Sequence, residues 1–312
     1  MKLIAFAAAL AGVSAAQGPV APVAVDLQIA VTRFFETAEQ YSRTFRNLTV
    51  EETRVLEELD KSGRVRKRRE IVGDLVVYRS ARGDGAAEYR DARLVDGKAV
   101  ARRHKRALDL ITRATTRASL AEELRLINRE SQRYDLKFSA GPFTIGQIPR
   151  LTMGDEWATL PISQHSFRFN WVGPAQVNGH DVIEIEYREV APRERHSAVA
   201  DGLYKGMDMS FFERGRLWLD AATHQLRRSQ WQLAGVHPAL PAPIQLFGAE
   251  WIYVESRFGI LVPERIVVEW YENSNSKVKP VFALAARTTY TYGVFKQFGV
   301  TTDETVATPA GR

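Results

Sequence analysis

The chain has 312 residues, 45% of them hydrophobic, 26% charged and 10% aromatic. This composition supports a buried core and excludes a disordered or collagen-like chain. Forty-three lysines and arginines against 37 aspartates and glutamates leave a net charge of +6, spread along the chain rather than interleaved with aromatic residues as single-strand nucleic-acid binders require. The absence of cysteine excludes disulfides, thiolate metal sites, thiol nucleophiles and an acylated-cysteine anchor.

Met1-Lys2 is a short positive start, Leu3 to Val13 is apolar, and Val13-Ser14-Ala15-Ala16 supplies small residues for cleavage. The pattern predicts a secretory signal over 1–16, with an apolar run too short for the roughly 20 residues a membrane span needs. The mature chain is expected to be a soluble periplasmic or secreted protein with no transmembrane segment, a single domain over 17–300 and a mobile tail over 301–312.

Asp26 precedes Leu27, Ala30, Phe34 and Ala38 at helical spacing, which predicts a capped amphipathic helix. Extended runs from Leu48 to Leu59 and from Arg64 to Ser80 flank Asp60-Lys61-Ser62-Gly63, a hairpin signal. A third strand over Glu88 to Val95 stops at Asp96-Gly97. Residues 101–133 hold no glycine or proline and are rich in Ala, Leu, Arg and Glu, so they read as two helices, the second starting at the capping pattern Ser119-Leu120-Ala121-Glu122.

Beyond Gly141-Pro142 the chain reads as antiparallel strands over Ser166–Val172, Asp181–Val190, Arg214–Asp220, Leu226–Leu233, Ala249–Ser256, Glu264–Glu272 and Phe282–Val294. Asn178-Gly179 is a two-residue hairpin turn, while 191–213 and the proline-bearing 235–247 read as long loops.

The stretch Gly215-Arg216-Leu217-Trp218-Leu219-Asp220, followed by Thr223, Leu226 and Arg227-Arg228, resembles the strand, aspartate turn and returning strand of the LolA-type periplasmic lipoprotein-carrier fold. Gly259-Ile260-Leu261-Val262-Pro263 is similar to the loop entering that family's next strand. The front half, from Asn47-Leu48-Thr49-Val50 through Asp96-Gly97-Lys98, resembles a group of uncharacterised exported bacterial proteins. The resemblance implies an α+β fold, one large curved antiparallel sheet forming an incomplete β-barrel capped by helices, with 101–133 as a helical lid. It also implies a lipid or a lipoprotein acyl chain as partner.

Catalytic and metal signals are weak. The six histidines, His104, His165, His180, His196, His224 and His237, include no pair at ligand spacing, and no Gly-x-Ser-x-Gly elbow is present. Asp74, Asp84, Asp91 and Asp96 read as solvated residues near turns. Gly83-Asp84-Gly85 lacks the third glycine of a phosphate loop. Lys61, Arg64, Arg66, Lys67, Arg68 and Arg69 read as a charged strand edge that resists aggregation, and Arg102, Arg103, Lys105 and Arg106 as a second cluster. No catalytic residue, cofactor or metal is expected.

Alternation places Phe167, Phe169, Trp171, Ile183, Ile185, Tyr187, Leu217, Leu219, Ile266, Val268, Trp270, Tyr290 and Tyr292 on one face of the sheet. Two readings follow from it. Either this face lines a site for a lipid, acyl chain or other apolar ligand in the cell envelope, as a carrier or sensor would need, or it is the solid core of a non-catalytic module that binds an envelope protein.

Overall fold

A computed structural model describes residues 26–45, 47–79, 86–101, 106–113, 117–137, 144–145, 167–190, 209–238, 240–273 and 282–298. The signal segment, Gly83-Asp84-Gly85, Arg102 to Lys105 and the tail fall outside them. Helix α1 (Leu27–Thr44) begins where the Asp26 carboxylate accepts from the Gln28 and Ile29 amides, two donors a helix start otherwise leaves unpaired. Strands β1 (Leu48–Leu59), β2 (Val65–Arg79), β3 (Ala86–Val95) and β4 (Lys98–Ala99) follow as hairpins. At the first turn Asp60 accepts from the Ser62 and Arg64 amides and Gly63 takes a φ of 79°.

Helices α2 (Ala107–Arg113) and α3 (Arg117–Ser131), a 3-10 turn and the short strands β5 (Leu136–Lys137) and β6 (Thr144–Ile145) come next. Strands β7 (Phe167–Val177), β8 (His180–Glu189), β9 (Ser210–Asp220), β10 (Leu226–Val236), β11 (Ile244–Glu255), β12 (Leu261–Asn273), β13 (Phe282–Tyr292) and β14 (Lys296–Gln297) complete the chain. Asn178 and Gly179 both take positive φ, as do Asp96 and Gly97, the geometry of a type I′ turn whose twist matches that of the strands.

Twelve strands form one antiparallel sheet in the order β4-β3-β2-β1-β13-β12-β11-β10-β9-β8-β7, with β14 on β1. The order does not close on itself among the described residues, so the sheet is an open, incomplete barrel with few helices, as expected. Register shifts at Val72/Gly73, Leu233/Ala234, Ile252/Tyr253 and Trp270/Tyr271 bend it, because an extra residue on one strand increases local twist and curvature.

Several boundaries differ from the sequence reading. Residues 235–247 are strand at both ends: β10 continues to Val236 and β11 starts at Ile244, leaving the three prolines in the connection between them. Proline cannot donate to a ladder, so its crowding there marks the turn and not the whole interval. Likewise β9 starts at Ser210, inside the expected loop 191–213, and α3 starts at Arg117, which puts Ser119 inside its first turn.

The two sides of the sheet are covered differently. On the concave side α1 lays Ala30, Val31 and Phe34 against a core drawn from β1, β2 and β7 to β13. On the other side Leu124 and Ile127 of α3 pack with Ala107 of α2 against Val76, Tyr78 and Tyr89. Helices α2 and α3, from the segment 101–133 read as a lid over the aromatic face, therefore pack behind β2 and β3, and α1 occupies the aromatic face. Alternation along β2 decides this: Leu75 and Val77 point to one core and Val76 and Tyr78 to the other, so two helical layers are needed.

α3 also protects the edge of β3. The Asn128 side-chain oxygen accepts from the Arg90 amide and the Ser131 hydroxyl accepts from the Ala92 amide, pairing ladder donors that an edge strand would otherwise expose.

Gly215 is required where β9 passes under Tyr187. A Cβ there would fall on the Gln230 carbonyl and the Tyr187 hydroxyl, and that hydroxyl donates to the same carbonyl at 3.2 Å. Gly215→Ala is expected to cost about 1–3 kcal/mol by forcing ring and strand apart, read as a lower urea midpoint at unchanged slope.

Candidate functional site

Register brings the expected face together. Phe169 lies opposite Tyr187, Trp171 opposite Ile185, Ile185 opposite Leu217 and Ile183 opposite Leu219, while Ile266 lies opposite Tyr290 and Val268 opposite Thr288. Phe167, Ile183, Ile185, Tyr187, Leu217, Leu219, Ile266, Val268, Tyr290 and Tyr292 are buried, and Phe169 and Trp270 are half-buried. Trp171, at 44% exposure, stands at the sheet's β7 edge beside the exposed Val172.

The sequence reading missed the middle of this face. Leu233 on β10 and Phe247, Ala249, Trp251 and Tyr253 on β11 fill the space between β9 and β12. Their alternation was visible once β11 is extended back to Ile244. The cover was missed as well: Phe35 of α1 meets Phe169 edge-on at 6.2 Å, Tyr41 meets Tyr253 at 6.2 Å, and Phe45 meets Phe295 at 5.9 Å. α1 thus crosses the face from the β7 side toward β1.

One cleft opens beside this helix. Phe34, Thr37, Ala38, Gln40, Tyr41 and Thr44 of α1 form one wall; Gln225 and Leu226, Tyr253, and Gly259, Ile260 and Leu261 form the other. Its volume is about 90 Å³, below the roughly 150 Å³ of an apolar cavity that holds benzene. None of the thirteen face residues named from sequence lines it; the cleft lies at the margin of α1.

Toward β1, β2 and β3 the same concave face becomes charged. Glu52, Arg54 and Asp135 are buried, Arg54 bonding to Asp135 at 2.9 Å and approaching Glu52 at 3.3 Å. Arg90 grips Glu52 through two bonds of 2.8 and 3.1 Å, reaches Glu88 at 3.3 Å and lies over the Tyr290 ring at 5.7 Å. Burial pushes the Tyr290 hydroxyl well above its ordinary value. Burial also raises the Asp135 carboxyl, against the pull of Arg54. Leu136, next in the chain, packs with Leu56, Ile71, Ala92 and Ala286.

The remaining sequence signals have structural roles. Asp74 and Asp91, read as residues near turns, face each other across β2 and β3. Asp91 is fully buried, accepting from Arg106 at 3.0 Å and from the Ala107 amide at the start of α2 at 2.9 Å. Burial raises the Asp74 carboxyl. The residues of the carrier-like stretch hold a turn: Asp220 accepts from the Ala222 and Thr223 amides and from Arg227. Burial works against the Asp220 carboxylate, and these bonds outweigh it and hold its pKa below the usual range.

The basic hairpin is largely neutralised. Arg66 and Lys67 approach Glu58, Arg68 approaches Glu70 and Arg69 approaches Asp96. Among the described residues no group of three His, Asp or Glu side chains is placed to hold a metal ion.

The class defined by these elements is an open antiparallel half-barrel whose concave face is occupied by an N-terminal helix. No family model matches the sequence, and no curated protein matches it. Among solved structures the chain is similar to an outer membrane lipoprotein-sorting protein domain from Vibrio parahaemolyticus, at 10% identity and a TM-score of 0.39, covering 88% of this chain and 95% of that one. It is also similar to a DUF1329 family protein from Desulfovibrio piger, at 11% identity and a TM-score of 0.38, covering 87% and 94%. The complex of MucA and MucB from Pseudomonas aeruginosa gives 11% identity and a TM-score of 0.21, covering 88% and 100%.

Arg54→Met would leave Glu52 and Asp135 buried with less countercharge, and is expected to cost about 3–5 kcal/mol. Because the folded Asp135 carboxyl sits above its unfolded value, its contribution is most favourable below the unfolded value and is lost as pH rises through the folded one. The deficit of the variant should therefore be smaller at about pH 5 than at about pH 7, because lower pH favours the protonated Asp135 carboxyl. Urea unfolding of both proteins at the two pH values checks this.

Proposed function

We propose that this is an exported protein of the cell envelope that binds an acyl chain or other apolar ligand, without covalent chemistry, between α1 and the concave sheet face. It acts as a carrier or sensor, and export rests on the signal pattern of Met1 to Ala16. Among the described residues no helix is long and apolar enough to cross a membrane.

The observation that carries the reading is that among the described residues a single amphipathic helix covers the wide aromatic face, with a cleft already open along its margin. The buried Val31 and Phe34 side chains of α1 contribute about 1.5–3 kcal/mol each. A ligand chain that replaces the helix on the same apolar surface offsets that loss, so displacement is thermodynamically reachable. The cleft alone is too small for a chain, and binding requires α1 to shift.

The small cleft and the near-complete burial of Ile185, Tyr187, Leu217 and Leu219 favour a second reading, an interaction module with a solid core that presents its surface to an envelope protein. One experiment separates the two. Since the chain has no native cysteine, Phe35→Cys with Phe169→Cys gives a clean pair that joins α1 to β7 away from the cleft. The unlinked double variant should take up the apolar fluorophore N-phenyl-1-naphthylamine saturably, and bridging the thiols with a short bismaleimide should weaken uptake about tenfold or more. Equal uptake by the bridged protein would show that α1 need not move. No uptake by the unmodified protein would leave the solid-core module.

A further inference from the structure

We propose that the cleft beside α1 selects an uncharged amphiphile, a single acyl chain ending in a hydroxyl, ester or amide head, over a carboxylate or phosphate carrying the same chain. This rests on the apolar-ligand reading above and names the ligand class that reading leaves open.

The chemistry of the walls carries the inference. The cleft is lined by apolar side chains together with Thr37, Gln40, Tyr41, Thr44, Gln225 and Tyr253, and among the described residues no Lys, Arg, His, Asp or Glu lines it. Amides and phenols both donate and accept, so they match a neutral head that also does both. An anionic head would leave water for a low-dielectric wall with no countercharge, which is far more costly than burying a bonded neutral group.

The arginine that follows Leu226 does not change the balance. Arg227 follows Leu226 on β10, but its guanidinium is held by Asp220 at 3.0 Å and Glu255 at 2.9 Å. On α1, Arg33 pairs with Glu36 at 3.2 Å on the exposed side. The Thr37 and Thr44 hydroxyls donate to the carbonyls of Phe34 and Gln40, which leaves their oxygens as acceptors for a ligand hydroxyl or amide and not for an anion.

The test displaces N-phenyl-1-naphthylamine from the full chain with 1-monolauroylglycerol, laurate and dodecyl phosphate at about pH 8, where laurate is ionised. Monolauroylglycerol should compete at about tenfold lower concentration than either anion. Gln225→Lys should bring the anions to within about threefold of the glyceride, with each competition read against the variant's own affinity for the fluorophore; if it does not fold, Thr44→Lys places a cation on the opposite wall. Equal competition by all three in the unmodified protein would overturn the selectivity while leaving the apolar site intact. Fluorophore binding that none of the three displaces would also overturn it. Failure of the fluorophore itself to bind would instead remove the apolar-ligand reading.

Discussion

The ladder between β1 and β13 holds the rest of the architecture in place. Glu52 lies opposite Tyr292, Arg54 opposite Tyr290 and Leu56 opposite Thr288, so a strand from the start of the chain is joined to the last long strand of the meander. Two consequences follow. The concave face becomes continuous from β2 to β8, and α1, which ends at Thr44 just before β1 begins at Leu48, is delivered onto that face. A loop closure of this length costs entropy before any contact compensates it, and the apolar surface that α1 and β13 jointly bury supplies the compensation.

That continuous face has two ends of opposite character. The β8 to β12 end is aromatic and aliphatic, whereas the β1 to β3 end holds Glu52, Arg54, Arg90 and Asp135 in one buried network. Buried ion pairs contribute little net stability relative to apolar packing, but they tolerate few alternative arrangements. Here the network ties the segment after α3 to the inside of β1, while α3 itself lies against the far side and edge of β3. The chain therefore wraps the edge of the sheet, and the ionic cluster anchors the end of that wrap.

How much was legible depended on range. Asn178-Gly179, Asp96-Gly97 and Asp60 to Gly63 were readable as turns because positive φ is a local property of those residues. The face of β7, β8, β9, β12 and β13 was readable because side chains alternate with period two. The strand ends near Val236 and Ile244 were not, since three close prolines suggested a longer loop than the backbone adopts. Asp74 and Asp91 were misjudged because nothing local shows that two mid-strand carboxylates will face one another across a ladder. The role of Gly215 was hidden for the same reason: the ring it admits belongs to Tyr187, one strand away.

By itself the sequence determined the antiparallel strands, their turns, the capped first helix and the residues of one apolar face, because all of these follow from local dihedral preference and from periodicity; the half-barrel was what the resemblance implied. Which helix covers that face was decided only by tertiary structure. α1 and α3 are both amphipathic, with Ala30 and Phe34 buried on one and Leu124 and Ile127 on the other. Neither pattern states which side of the sheet it will meet. That choice depends on strand register and on the short link from α1 into β1, and register is a relation between segments far apart in the chain.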